Sequence, residues 1–404
     1  MKEYPLDGIR IVDFTWAWAG PYAALLLALL GAEVIKVESR QRLDHTRLRS
    51  LMTGPTLGGP DHSTVFNDIN LNKLSLTLNL TKPRAIEIAK ELVKKSDVVI
   101  QKMRPGVMDR LGLGYEALKA VKPDIIMLSS SALGDSGPER TYSGYAPTFA
   151  AMSGMSYISG YPDMEPSTLS GAIDTRVGTT SAFAILAALI YRQHTGKGQN
   201  IDLSSSEAIS CLMGEAFLDY SMNRRIKERN GNGDDVMAPH GCYPCQGENR
   251  WVTIAVSTDA EWQAFCKAID SPEWCGDSRF ADAQGRRQNH DELDRLISGW
   301  TIKYTDHEAT VILQGAGVAA FPTLAGNMIS TDPHIKEREL FEEIEHPALG
   351  KRLVVGPPWR LSATPVKVQR PAPLIGQHNQ YVLGELLGMA QSEIDQLIEE
   401  QVVY

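Results

Sequence analysis

The 404-residue chain has few cysteines, no excess of positive charge and no signal-peptide core at its N-terminus. Five cysteines are an odd number in a long chain, which argues against a disulfide framework. A formal charge of −9 argues against the basic surface that nucleic-acid or anionic-membrane binding requires. The apolar run at residues 23–30 is far shorter than the roughly 20 residues of a membrane span. We therefore expect a cytoplasmic protein that binds neither nucleic acid nor a membrane.

Two motifs for metal or cofactor binding are also missing or incomplete. The pair Cys242 and Cys245 forms a single CxxC, which lacks the second pair of ligands that a structural zinc site needs. Loop cysteines flanking a strand are the favoured interpretation, and their role stays open. No GxGxxG follows the first predicted strand, so a dinucleotide-dependent oxidoreductase has little support. We expect no bound metal and no permanently bound cofactor.

The N-terminal half has the pattern of a nucleotide-binding α/β fold. Strands predicted at 9–14 and 33–38 enclose a helix that ends before Gly31, which makes a β-α-β unit. Further strands are predicted at 74–80, 98–101 and 125–130, separated by helical segments. The fold class is therefore α/β, with a large Rossmann-like, doubly wound domain.

The remaining sequence predicts a second, smaller α/β domain. A polar, glycine-rich loop at 230–235 marks the boundary, and a strand at 251–256 and several helical segments follow it. We expect the large domain to begin with residues 1–225 and the small domain to occupy 226–325. Residues 326–404 form a C-terminal segment.

The segment from Ser170 to Thr175 places one carboxylate, Asp174, at the start of a long apolar helix. Unpaired backbone N–H groups and the helix dipole favour a carboxylate there. On local pattern alone, Asp174 is more simply interpreted as an N-terminal cap.

Segments in a fixed order along nearly the whole chain give Asp174 a second interpretation. The sequence resembles the family III CoA-transferases, the group that includes formyl-CoA transferase and the carnitine CoA-transferases. The matching segments are residues 5–15, 19–23, 31–38, 70–73, 104–112, 170–203 and 371–378. The resemblance implies that Asp174 is the catalytic nucleophile. It also implies that the C-terminal segment returns to the large domain and that two chains form an interlocked dimer.

The implied reaction moves CoA from an acyl-CoA donor to a carboxylic acid acceptor. A carboxylate nucleophile keeps the acyl group activated, first as an aspartyl anhydride and then as an aspartyl-CoA thioester. Coenzyme A is therefore a substrate, as its thioester. The resemblance implies a CoA-binding role for residues most of which follow a predicted strand, namely Trp16, Ala17, Trp18, Ala19, Arg40, Asn72, Lys73, Lys102, Met103, Arg104, Arg110 and Tyr145.

Two departures from formyl-CoA transferase bear on the acceptor. Trp18 stands where that enzyme has Gln, and the stretch at 238–242 replaces its mobile four-glycine loop. Two tryptophans, Trp16 and Trp18, suggest a larger acid than formate or oxalate. We expect succinyl-CoA as donor and benzylsuccinate as a possible acceptor, with an identical or related chain as partner.

Two other functions within the same superfamily stay open. A 2-methylacyl-CoA racemase needs a His–Asp base pair, but the corresponding positions here are Tyr145 and Ala146. A non-catalytic CoA-binding subunit is the other alternative, and the presence of Asp174 argues against it.

Overall fold

A computed structural model of the protein describes residues 3–50 and 54–404. The chain folds into two compact units. The first contains the N-terminal residues up to Ser156, Thr168–Arg225 and Lys336–Tyr404. The second contains Tyr157–Ser167 and Ile226–Ile335.

The first unit is built on a six-stranded parallel sheet with the strand order β5-β2-β1-β6-β7-β8. Two further short strands, β3 and β4, pair with each other. The strands are β1 (Arg10–Asp13), β2 (Glu33–Glu38), β3 (Arg49–Ser50), β4 (Gly54–Pro55), β5 (Lys73–Thr77), β6 (Val98–Gln101), β7 (Ile126–Ser131) and β8 (Asn200–Ser204).

Helices cover both faces of this sheet, because alternate strand residues face opposite sides. Val98 and Ile100 pack in one hydrophobic core with α1, α7, α9 and α10, whereas Val99 packs in another with α4, α5 and α6. The predicted α/β class is confirmed. The helices are α1 (Ala19–Leu29), α2 (His45–Leu48), α3 (Thr64–Ile69), α4 (Pro83–Lys94), α5 (Val107–Arg110), α6 (Tyr115–Val121), α7 (Ala146–Met152), α8 (Met155–Ile158), α9 (Gly171–Thr195), α10 (Ser205–Ser210) and α11 (Gly214–Asn223).

The order of the strands places a topological switch point between β1 and β6. From β1 the chain first extends the sheet through β2 and β5, and then returns to the other side of β1 with β6, β7 and β8. Ligands of open α/β sheets bind outside the carboxyl ends of strands at such a point. The residues that follow β1 and β6 therefore define the place to look for a site.

Helix α9 is long and apolar enough to cross a bilayer by length and composition. It nevertheless packs along α1 as a helix of the α/β unit. A Cβ at Gly178 would lie 2.7 Å from the carbonyl oxygen of Ala19, so the two helices approach closely only because this residue is glycine. Core helices of α/β proteins satisfy the same length criterion, so α9 carries no argument for a membrane span.

The second unit contains a three-stranded antiparallel sheet with the order β11-β10-β9 and a core around Trp262, Phe265 and Phe280. Its strands are β9 (His240–Pro244), β10 (Trp251–Ala255) and β11 (Ala319–Pro322). The chain also forms α12 (Asp259–Ala268), α13 (Ala283–Gln288), α14 (His290–Thr301), α15 (Asp306–Gly315), α16 (Gly326–Ile329) and α17 (Pro333–Glu337).

The two cysteines of the CxxC motif are not loop cysteines on either side of a strand. Cys242 lies inside β9, opposite Thr253 of β10, and Cys245 is buried directly after that strand. The loop prediction was wrong for Cys242 because a glycine and a proline in five residues hide the strand pattern. Among the described residues, no cluster of three or more metal-ligating side chains includes them.

The C-terminal segment of the first unit covers the edge strand β5. The His378 N–H donates to the Ser75 carbonyl at 3.0 Å, and the Asn79 N–H donates to the Val402 carbonyl at 2.9 Å. An edge strand covered in this way is protected from pairing with another chain. The segment contains β12 (Phe341–His346), β13 (Gly350–Val355), a π-helical turn (Tyr381–Leu386) and α18 (Gln391–Glu399).

Candidate active site

Asp174 lies in the first turn of α9, half-buried, and it is not the helix cap. The helix begins at Gly171, and the cap position is occupied by Ser170, which makes no capping hydrogen bond. The Asp174 carboxylate therefore does not have the structural task that the local sequence pattern favours. Burial raises its pKa above the ordinary value of a carboxyl group, and the Lys102 ammonium partly opposes this shift.

Lys102 directly follows β6 and extends between two other helices. Its Nζ donates to the Ser205 Oγ at 3.1 Å and lies 5.1 Å from the centre of the Phe149 ring. Phe149 belongs to α7 and Ser205 begins α10, and both are buried. Burial lowers the pKa of Lys102 to about 8, and the negative charge of Asp174 acts in the opposite direction. Four elements of the first unit thus meet around one ammonium group.

The loop after β1 has a strained backbone that a buried carboxylate holds. Ala17 has a φ of +69°, in the left-handed region that a residue with a Cβ rarely adopts. Its N–H donates to Asp44 Oδ1 at 3.1 Å, and the same oxygen accepts from the N–H and hydroxyl of Thr46. Because such strain costs about 1–3 kcal/mol, these contacts are required to keep the loop in this shape.

A cluster of buried charges supports this loop from the sheet. The Lys36 Nζ donates to the Thr15 carbonyl at 2.6 Å and lies 3.3 Å from Asp44 Oδ2. The Asp13 carboxylate accepts from both the N–H and the hydroxyl of Thr15. Burial opposes ionisation of Asp44, but Lys36 and the hydrogen bonds from Thr46 and Ala17 together bring its pKa below the usual value.

The two tryptophans of the loop have different surroundings. Trp18 precedes α1, and its indole Nε1 is buried without a hydrogen-bond partner in the described parts of the chain. Trp16 lies 5.8 Å from the His45 ring and 4.5 Å from the Arg42 guanidinium. The other predicted aromatic residue, Tyr145, is 67% exposed and lies 6.3 Å from His45.

His45 is a residue that the sequence analysis missed. It contacts two of the three predicted aromatic residues, Trp16 and Tyr145, and burial lowers its pKa, with Asp44 acting in the opposite direction. The signal was its place after β2, at the edge of the sheet where the other candidates were found.

Two predicted CoA-binding residues are used inside the protein. The Lys73 Nζ donates to Asp13 Oδ2 at 3.1 Å, to the Pro21 carbonyl at 2.8 Å and to Asn70 Oδ1 at 2.9 Å. An ammonium has three donors, so all are occupied. Asn72 binds the C-terminal segment, because its Oδ1 accepts from the N–H groups of Gln369 and Arg370. Both side chains are buried, and their hydrogen bonds are to groups within the protein.

The other predicted residues lie closer to solvent, with one exception. Arg40, Arg104 and Arg110 are exposed, and Met103 is half-buried. Ala19, the exception, is buried in the first turn of α1. The three arginines follow β2 and β6 at the carboxyl edge of the sheet, where a negatively charged group of a ligand could reach them.

A cavity of about 490 Å³ lies beyond the ends of β7 and β8. Its lining includes Gly134, Arg140, Ser204 and Ser206, but neither Asp174 nor Lys102. Ser204 and Ser206 flank Ser205, so the cavity adjoins the Lys102 contact without containing the Asp174 carboxylate.

Comparison with known proteins shows the family of the chain. A family model described as CoA-transferase family III matches residues 6–379. The chain is 34% identical to succinyl-CoA–D-citramalate CoA-transferase of Chloroflexus aurantiacus, over 99% of this chain and 98% of that protein. It is 32% identical to the beta subunit of succinyl-CoA–L-malate CoA-transferase of the same organism, over 99% of this chain and 98% of that one.

A solved structure supports the same relationship at the level of the fold. The structure of a CAIB/BAIF family protein from Brucella suis superimposes with a TM-score of 0.86 and 29% identity, covering 95% of this chain and 100% of that one. The family match spans both units and includes Asp174, Lys102 and the loop after β1. The chain belongs to the CoA-transferase family III, and it is a CoA-transferase that uses CoA thioesters as substrates.

Proposed function

We propose that this protein transfers CoA from succinyl-CoA to a dicarboxylic acid through covalent intermediates on Asp174. The observation that carries the proposal is a half-buried carboxylate in the first turn of α9, with no capping task and with Lys102 acting on its charge. The named relatives support the choice of substrates, because both use succinyl-CoA and both of their acceptors are dicarboxylic acids.

The proposed reaction has four steps that conserve charge. Asp174 Oδ attacks the thioester carbonyl, the C–S bond breaks, and CoA leaves as a thiolate with the bonding electrons. The thiolate attacks the Asp174 Cγ of the mixed anhydride and releases succinate, which leaves an aspartyl-CoA thioester. The acceptor carboxylate then attacks that Cγ and expels the thiolate again. Finally, the thiolate attacks the acceptor carbonyl, and Asp174 regains its carboxylate.

Burial of the carboxylate suits this sequence of steps. An anhydride and a thioester both react with water, so a site that excludes water protects the acyl group. The raised pKa of Asp174 also makes the carboxylate a stronger nucleophile than an exposed one, while Lys102 helps to keep it ionised near neutral pH.

The aromatic residues of the loop support a spacious acceptor pocket. Trp16, His45 and Tyr145 form one continuous row, and Trp18 offers a buried indole N–H without a partner among the described residues. Benzylsuccinate is a dicarboxylic acid with an aromatic ring, so it belongs in the panel of acceptors beside citramalate and malate.

We also propose that the loop at Trp16–Ala19 contacts the pantetheine and that the exposed arginines bind the phosphates of CoA. Arg40, Arg104 and Arg110 can reach a phosphate, and arginine suits one because its planar group donates in pairs. Substitution of Arg104 and Arg110 by Gln should raise the KM for succinyl-CoA more than it lowers kcat.

The chain is proposed to act as a dimer with itself or with a related chain. Large apolar side chains remain exposed on α9 and α11, including Phe183, Ile190, Phe217 and Leu218. Such patches mark interaction surfaces. The malate-specific relative is itself one subunit of a pair. The molar mass in solution distinguishes a homodimer from a monomer that forms a dimer only with a related chain.

The first experiment is to trap the covalent intermediates. The protein is incubated with succinyl-CoA, quenched with hydroxylamine and digested, and the Asp174 peptide is analysed by mass spectrometry. A hydroxamate or a CoA adduct on Asp174 is expected, and the acid that discharges it is the acceptor. Asp174→Asn should lower turnover by at least about 10⁴-fold, whereas Asp395→Asn on exposed α18 should not.

Two outcomes would contradict the proposal. Full turnover by Asp174→Asn would remove Asp174 from the mechanism. Exchange of the α-proton of the acyl group into solvent, without any CoA transfer, would indicate a racemase instead.

A further inference from the structure

Among the described residues, the Lys102 ammonium donates one hydrogen bond, to Ser205, so its donors are only partly used. In the described parts of the chain its polar contact is the neutral Ser205 hydroxyl, and its aromatic contact is Phe149. An ammonium has three donors. A buried cation is costly unless it is paired and hydrogen-bonded. Lys102 therefore has donors available to an anion that arrives with the substrates.

Asp174 is the charged group that faces Lys102 from the surrounding elements. The negative charge of Asp174 raises the pKa of Lys102, and the positive charge of Lys102 lowers the pKa of Asp174. The other contacts, from α7 and α10, are with uncharged side chains. No ion pair within 4.0 Å joins Asp174 and Lys102 in the described residues, which leaves a gap between the carboxylate and the ammonium.

The proposed chemistry moves one negative charge without moving a proton. That charge is on Asp174 in the resting enzyme, on the CoA thiolate beside the anhydride, and on free succinate beside the thioester. When Asp174 is acylated its charge is gone, and Lys102 then has no charged neighbour among the described side chains. A half-buried cation in that state attracts whichever anion must attack next.

We propose that Lys102 is a catalytic residue whose Nζ binds the free anion of each covalent intermediate, and so directs the acceptor carboxylate onto the acylated Asp174. This inference rests on the proposed function and extends it. It changes the role of Lys102 from a general contact to CoA into a specific contact to the attacking and departing anions.

The test compares Lys102→Met, Lys102→Arg and Lys94→Met. Methionine keeps the apolar stem without the charge, arginine keeps a charge that does not titrate in the accessible range, and Lys94 is an exposed lysine on α4 whose partner is Glu91. The measured quantities are kcat and KM for the acceptor from pH 5 to 10, with succinyl-CoA saturating.

Lys102→Met should lower kcat/KM for the acceptor by about 10²–10³-fold, as removal of one charge-stabilising donor does. In the wild type, activity should fall as the pH rises through about 8, because Lys102 loses its proton there. Lys102→Arg should recover much of the activity and extend it to higher pH. Lys94→Met should match the wild type.

Lys102→Met should also shift the acid limb of the pH–activity profile, where activity falls as the pH is lowered. The limb reports ionisation of Asp174, whose raised pKa is partly held down by Lys102. Without that cation the pKa rises further, so activity should begin to fall at a higher pH than in the wild type. A lysine with a merely structural role would move neither limb.

The proposal is overturned if Lys102→Met stays within about 3-fold of the wild type, or if Lys102→Arg keeps the wild-type alkaline limb. Trapping separates this failure from failure of the proposed function. If Asp174 still forms its adduct while Lys102→Met is fully active, only the role of Lys102 is wrong. If Asp174 forms no adduct and Asp174→Asn is active, both proposals are wrong.

Discussion

Lys73 and Lys102 share a sequence signal and a low pKa, but their surroundings differ. Both lie at an end of a sheet strand, and burial lowers the pKa of each to about 8. Lys73 donates three hydrogen bonds to protein groups, and one of them is to the Asp13 carboxylate. The Lys102 ammonium donates to one neutral hydroxyl and faces the Asp174 carboxylate across a gap.

The difference separates a lysine whose partners are all within the fold from one that is proposed to bind substrate anions. Perturbed pKa values occur both in ion-pair networks and in active sites, so the shift by itself does not distinguish them. The two cases are distinguished by whether all the hydrogen-bond donors of the ammonium have partners within the protein. A buried ammonium whose three donors are all bonded supports the fold. An ammonium with unused donors beside a carboxylate can instead bind an incoming anion.

Substituting each lysine by methionine should give the largest difference between the two regions. Lys73→Met leaves Asp13 as a buried carboxylate without its ion-pair partner, and breaking such a pair costs about 3–5 kcal/mol of unfolding free energy. Lys102→Met removes a poorly satisfied cation, so its unfolding free energy should not fall by more than about 1 kcal/mol. Urea denaturation of both variants, with Lys94→Met as the exposed control, measures the difference. Equal losses of unfolding free energy would show that the two lysines contribute equally to the stability of the fold.

Substitution of Asp44 tests whether the cluster of buried charges also determines the shape of the loop after β1. Asp44→Asn removes the partner of Lys36 and weakens the hydrogen bonds to Ala17 and Thr46. Hydrogen bonds to charged groups contribute about 1.5–3 kcal/mol, so a stability loss of that size is expected. Because Ala17 would no longer be held at a positive φ, the KM for succinyl-CoA should rise as well. A loss of stability with an unchanged KM would confine Asp44 to the fold.

Trp18 tests the other side of the same loop. Trp18→Gln shortens a half-buried side chain beside the candidate site, so the preference should shift toward smaller acids. A shift of about tenfold in the ratio of kcat/KM for malate over benzylsuccinate is expected, close to 1.4 kcal/mol. Competition between the two acids in one reaction measures it directly. An unchanged ratio would mean that Trp18 belongs to the core, and the acceptor pocket would have to lie elsewhere.

The sequence predicted the sheet well, because its signal is local. The strands at 33–38 and 98–101 have the bounds that alternation and flanking breakers predict, and the α/β class follows from them. The sequence pattern of residues 207–223 by itself favours one continuous helix, but the chain forms α10 and α11 with a break at residues 211–213. Tertiary packing rather than local propensity decides such a break, since Ala208 and Ile209 are buried while α11 contains no buried residue.

The site could be predicted only in part, for a related reason. Position after a strand selects residues at one edge of the sheet, and Lys102, which was selected in this way as a CoA-binding residue, lies close enough to Asp174 for the two charges to interact. It could not tell that Lys73 points into the protein, because residues on a strand alternate between two faces and their partners are distant in sequence. His45 was missed because it begins α2, whereas its neighbours Trp16 and Tyr145 come from two other parts of the chain, after β1 and after β7.

The smallest predicted effect is the stability cost of an ionised Asp174, the proposed nucleophile. Burial raises the pKa of Asp174 in the folded protein, so between the unfolded and folded pKa values the folded state binds more protons than the unfolded state. Stability therefore falls as the pH rises through that window, and an ionised Asp174 destabilises the fold at neutral pH. Asp174→Asn removes this cost and should stabilise the protein by up to about 1 kcal/mol at pH 7, a size typical of functional-site trade-offs.

The pH dependence makes this last test specific. Below the ordinary carboxyl pKa both states are protonated at Asp174, so the advantage of Asp174→Asn should disappear near pH 3.8. Thermal melting of the variant and the wild type at pH 4 and pH 7 measures both values. A variant that is less stable than the wild type at neutral pH would mean that the Asp174 carboxylate supports the fold, as the Lys73 ammonium does, and the contrast between the two regions would be lost.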